Sequence, residues 1–177
     1  MTRNLFAAVA AAALLAGCST MGADGTSTAM GAPADMTPST RDAYVQMAAA
    51  SDLFEIQSSQ LALSRAQRPE VREFAQMLIT HHTQTTQQLT AAAQAAGMTP
   101  PPPMLMPMQQ RMMEELQQAS GASFDGVYMR QQVPAHEMAR ALHANYASRG
   151  DNPALRVVAG AAVPIVQQHL DRARQLD

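Results

Sequence analysis

The chain has 177 residues, 47 % hydrophobic and 15 % charged, with no tryptophan and a formal net charge of −2. No basic stripe with interleaved aromatics appears, so nucleic acid is excluded as a natural partner. Its one cysteine, Cys18, rules out an internal disulfide.

The first 17 residues read as a lipoprotein signal peptide. Arg3 begins it, the apolar run Leu5 to Leu15 follows, and Leu15-Ala16-Gly17 precedes Cys18. The run is too short for a permanent membrane span. Lipidated Cys18 then becomes the mature N-terminus and anchors the protein to a membrane by acyl chains such as palmitate, with no spanning helix. Ser19 stands where an aspartate would signal inner-membrane retention. The expected location is therefore the periplasmic face of the cell outer membrane. Without Arg3, 11 basic residues, all arginine, face 14 acidic ones, which does not favour anionic lipid. Residues 18–39 are rich in Ser, Thr, Gly, Ala, Pro and Met, with no apolar period, and read as a flexible tether.

Residues 40–177 read as a single all-helical domain, since alternating β-branched runs are absent. The first helix is expected at about 41–66. The second starts near Pro69 and ends at Gly97, a proline-first, glycine-last pattern. Pro100 to Pro103 and a short helix around 108–119 follow. A third long helix spans about 123–148, and Asn152-Pro153 opens a fourth that continues to the C-terminus. Helix two is roughly 42 Å long at 1.5 Å per residue. The extended proline segment plus the short helix can span that length. Two tight hairpins joined by one long crossover give the connectivity of a ferritin-like four-helix bundle, although an up-down-up-down bundle with a long loop would read alike.

Helical projection places His82 inside the apolar stripe of helix two (Val71, Phe74, Leu78, Leu89) and His169 inside that of helix four (Leu155, Ala162, Val166, Ala173). His136 and His143 lie roughly 100–120° off the helix-three stripe at about 100° per residue. His81 and His143 are expected at the surface. Glu55 sits at the edge of the helix-one face. Glu55, His82 and His136 lie near the centres of their helices, and His169 roughly 7 Å off centre at 1.5 Å per residue. Two readings stand side by side. One is a single transition metal (Zn, Cu or Fe) held by Glu55, His82, His136 and His169. The other is a neutral hydrogen-bonded network that fixes the bundle's register. No glutamate has histidine three residues on, which excludes the di-iron ferroxidase pattern.

Pro134 and Pro164 fall inside helices three and four, each near a histidine. Their kinks either open room for a ligand or curve the helices around the core. Six of 14 methionines crowd Met98 to Met113. Met104, Met106 and Met108 form a Met-x-Met-x-Met run, a soft-metal contact or an adaptable packing filler.

Several segments together carry a resemblance: Ser51-Asp-Leu-Phe-Glu55-Ile, Pro69-Glu-Val-Arg-Glu-Phe-Ala-Gln-Met77 leading to His82-Thr83, Ser120-Gly-Ala-Ser-Phe-Asp125-Gly-Val-Tyr128 leading to His136, and Val163-Pro164 followed by His169-Leu170. Over 40–177 the chain resembles a ferritin-like bacterial family of unknown function often labelled predicted outer membrane proteins. The resemblance implies a ferritin-like fold, an envelope location and a polar core at Glu55, His82, His136 and His169. It supplies no reaction. Where that family usually carries aspartate before two of its histidines, this chain has His81 and Ala135.

No Gly-x-Ser-x-Gly turn is present and Cys18 is committed to lipid, so catalysis has little support. The function expected is a non-enzymatic, outer-membrane-anchored periplasmic bundle, which holds one transition metal in its core under the first of the two readings of the histidines. The alternative is a periplasmic metal-handling (copper) or stress-protection protein. Neither a protein partner nor an oligomeric state is legible in the sequence.

Overall fold

The structure, a computed structural model, describes residues 38–177. The expected signal peptide, Cys18 and nearly all of the expected tether lie outside the described residues. Five α-helices follow in order: α1 Arg41–Arg65, α2 Pro69–Ala95, α3 Pro107–Gln118, α4 Phe124–Arg149 and α5 Pro153–Leu176. A single 3-10 turn, Gly121–Ser123, precedes α4. The expected boundaries hold to within two residues.

Local chemistry explains those boundaries. Proline opens α2, α3 and α5, where its missing N–H costs nothing. The Asn152 side chain accepts the Leu155 N–H at 3.1 Å, capping α5. After α2, Gly97 takes a φ of 73°, Met98 N–H reaches the Ala93 carbonyl at 3.0 Å, and Gly97 N–H reaches that of Gln94 at 2.9 Å. This pairing satisfies the last free carbonyls of the helix. Across the tight α1–α2 turn, the Asp125 carboxylate of α4 accepts the N–H groups of Gln67 and Arg68.

Pairings between helices settle the topology. Tyr44 at the start of α1 meets His143 and Tyr146 near the end of α4, while Ser59 late in α1 bonds Tyr128 early in α4. Helices α1 and α4 are therefore antiparallel neighbours. Arg68 before α2 bonds the Leu176 carbonyl at the end of α5, so α2 and α5 are antiparallel too. The tight α1–α2 and α4–α5 connections complete the ring, leaving α2 diagonal to α4. An up-down-up-down square would make α2 and α4 neighbours instead, so the bundle is ferritin-like, and the crossover with α3 lies across α1 and α4.

Apolar side chains gather at both ends of the bundle. Phe74, Leu78, Phe124 and Tyr128 belong to one cluster, and Tyr44, Leu89, Leu142 and Leu155 to the other. Between them lies a polar layer holding Asp52, Glu55, His82, His136 and His169, all buried. Pro134 and Pro164 sit within α4 and α5 without ending either helix. Among the described residues no helix is long and apolar enough to cross a membrane.

Candidate metal centre

Three helices each contribute an imidazole to the polar layer: His82 from α2, His136 from α4 and His169 from α5. One nitrogen of each lies within 4.8 Å of the others. The ring centroids are 5.2–5.8 Å apart. The antiparallel register of α2 and α5 brings His169 level with the other two despite its offset along its own helix.

The outer hydrogen bonds define which nitrogens face inward. His136 Nδ1 lies 2.8 Å from the Gln132 carbonyl, which can only accept, so Nδ1 carries the proton and Nε2 presents a lone pair. His82 Nδ1 lies 2.8 Å from Asp52 Oδ1, and the same carboxylate accepts the hydroxyls of Thr85 and Thr86 at 3.0 Å each. His169 Nε2 pairs with His81 Nδ1 at 2.8 Å, leaving Nδ1 to the centre. The remaining atoms, His82 Nε2, His136 Nε2 and His169 Nδ1, are buried and have no hydrogen-bond partner.

This pattern bears on both readings of the histidines. In a self-sufficient network the inward nitrogens would bond one another or a neighbour, because an orphaned buried polar group costs about 1–3 kcal/mol. Here the hydrogen-bond partners all lie on the outside, and one unpartnered nitrogen remains on each of three rings that are packed against one another. Fixing each ring through its outer nitrogen is how proteins orient metal-bound histidines. A set of three imidazole donors suits Zn or Cu(II).

Electrostatics favour the ligating state at two of the three positions. Burial first, then the charge of His82, lowers His136 to about 3, and the same causes with the other histidines lower His169 to about 2. Both rings are neutral near neutral pH. His82 differs: burial opposes its charge, but the hydrogen bond and charge of Asp52, with the charge of Glu55, raise it overall. Burial raises Glu55 to about 7. Its Oε1 stands 3.9 Å from His136 Nδ1, and its Oε2 has no partner. Glu55 thus flanks the outer edge of the His136 ring and is not among the atoms gathered within 4.8 Å.

Two expectations need correction. His143 is buried rather than at the surface, with Nδ1 3.0 Å from the Tyr44 hydroxyl. That flank of α4 faces α1, so α4 buries more than one stripe. His81 is half-buried and bonds His169. Asp52, Thr85 and Thr86 join the site without having been candidates for it on sequence grounds. The available signal was Asp52 standing one turn before Glu55, on the same side of α1. Of the methionine run, Met106 and Met108 line a cavity against α1 and α4, whereas Met104 is 76 % exposed beside the proline segment.

Comparison with known proteins adds the fold's relatives. No curated protein matches the sequence. Among solved structures, CopM in its Cu(II)-bound form superposes with a TM-score of 0.66 at 20% identity, covering 77% of this chain and 94% of that one. CopM in its Cu(I)-bound form gives 0.65 at 20% identity with the same coverage. A DUF305 fragment from Deinococcus radiodurans gives 0.60 at 19% identity, covering 79% of this chain and 95% of that one. These likenesses establish a shared helical-bundle fold. The model of the domain of unknown function DUF4142 matches residues 25–176, and the chain belongs to that family.

Proposed function

We propose that this protein is an envelope lipoprotein whose helical bundle binds one transition-metal ion at His82, His136 and His169. The observation that carries the reading is the set of three unpartnered imidazole nitrogens in a buried layer between two apolar clusters. Asp52, the Gln132 carbonyl and His81 orient the rings from outside. Glu55 supplies a carboxylate beside the site that offsets the charge of a cation as it loses its proton.

Imidazole donors favour Zn, Cu or Fe over hard oxygen-seeking ions. The fold shared with CopM, solved with Cu(I) and Cu(II), supports copper as the physiological cargo. The three rings are at most 3 % exposed, and the role proposed for them is binding. The Leu15-Ala16-Gly17-Cys18 motif supports a lipid anchor at the periplasmic face of the outer membrane.

Titration of metal-free, untagged protein with Zn(II) and Cu(II) tests the reading. One equivalent should bind, and His82→Ala, His136→Ala and His169→Ala should each abolish saturation. Retention of full stoichiometry in all three variants would overturn it.

A further inference from the structure

A second group of donors lies away from the histidines. Five methionines surround one cavity of about 40 Å³: Met47 from α1, Met106 just before α3, Met108 and Met112 within α3, and Met138 from α4. Met106 is the residue before α3, and Met108 and Met112 lie one turn apart on the same face of that helix. None of His82, His136 and His169 lines the cavity.

Size and chemistry together restrict the occupant. Organic ligands need pockets of about 300 Å³ or more, so this space fits only something close to a water molecule in size. Ser51 and Gln109 are the polar side chains of the lining, the bare minimum for holding a water, while the other nine lining residues are apolar and five of them are methionines. The lining includes no charged residue, so a hard or divalent cation would find nothing to neutralise it. Five polarizable thioethers suit a soft monovalent cation. Simple packing would bury these side chains. Instead Met106 and Met108 stay 37 % and 36 % exposed, leaving donors at the rim where an ion arrives from solvent.

We infer that the methionine-lined cavity between α1, α3 and α4 is a second metal site, selective for a soft monovalent ion such as Cu(I) or Ag(I) and independent of the histidine centre. Thioether sulfur stays unprotonated throughout the physiological range, so this site needs no proton release to load. The crossover therefore does more than connect the two hairpins: it brings three of the five donors, two of them on α3.

Ag(I), which needs no reductant, is the probe. Titrating the full chain while recording methionine methyl NMR resonances should shift Met47, Met106, Met108, Met112 and Met138 together, saturating at one equivalent. That equivalent should survive His82→Ala/His169→Ala and be lost in Met47→Leu/Met108→Leu/Met112→Leu, a volume-conserving change. The leucine variant should keep its Zn(II) equivalent, which also reports that it folds. Shifts confined to other methionines, absence of saturation, or Ag(I) binding that vanishes with the histidines instead would overturn the inference. If the leucine variant does not fold, the wild-type shifts decide alone. Loss of Zn(II) binding in the histidine variant leaves this site untouched, so the two claims fail separately.

Discussion

Acidifying the metal-free protein should unfold it over a window that its buried histidines define. Burial holds His136, His143 and His169 at about 3, about 4 and about 2, against about 6.5 in an unfolded chain. Between about pH 4.5 and 6.5 the unfolded chain takes up protons at these three positions and the folded one does not. Glu55 works the other way: folded, at about 7, it keeps a proton that the unfolded chain has lost. His82, raised in the folded state, is protonated in both states below about pH 6.5 and adds no slope there. The unfolded state therefore binds about two more protons, so stability rises with pH by roughly 2.7 kcal/mol per unit. A drop of roughly 5 kcal/mol from pH 6.5 to 4.5 is comparable with the whole stability of many domains. Above about pH 6.5 the sign reverses, because folded Glu55 and His82 lose protons already absent from the unfolded chain. Maximum stability should lie near neutrality. Urea unfolding followed by circular dichroism at several pH values, with metal chelated, measures the slope. A flat profile, or stability that rises on acidification to pH 5, would refute the reasoning.

Other perturbations test separate parts of the structure. Asp52→Asn weakens the hold on His82 Nδ1 and should lower metal affinity by about 10–100-fold; an unchanged dissociation constant would show that Asp52 does not orient the ring. His82→Ala in the metal-free protein strands the buried Asp52 carboxylate and should cost about 3–5 kcal/mol, read as a lower urea midpoint, and an unchanged midpoint counts against the ion pair. Gly150→Ala would place a Cβ 2.6 Å from the Tyr146 ring, which is held by stacking on Tyr44 at 3.9 Å and by a hydrogen bond to Asp151. The variant should lose about 1–3 kcal/mol to overpacking, and a raised thermal midpoint would mean that the ring moves aside freely.

The elements and the core-facing histidines were legible in the sequence for a local reason. Pro69, Pro153, Gly97 and Asn152 act within a turn of where they stand, so their effect needs no knowledge of the partner helix. His82 and His169 declared themselves by falling in an apolar stripe of period 3.6. His136 sat off the stripe of its helix and is nonetheless fully buried. Helix α4 packs against α5, α1 and the crossover helix α3, so a single stripe underestimates what it buries. The same geometry hid His143. What the sequence does not carry is relative rotation between helices. That rotation sets Asp52 against His82 and the threonine hydroxyls, and pairs His81 with His169. Likewise Met104, Met106 and Met108 are equivalent as letters, yet the path of the crossover turns only the last two toward Met47 and Met138.

X-ray absorption on protein loaded with one equivalent of Zn(II) or Cu(II) tests the central claim most directly. Three imidazole nitrogens should appear in the coordination shell, with their outer-ring scattering, and that signature should be lost in His169→Ala. A shell of oxygen donors without imidazole scattering, or a spectrum that His169→Ala leaves unchanged, would contradict it.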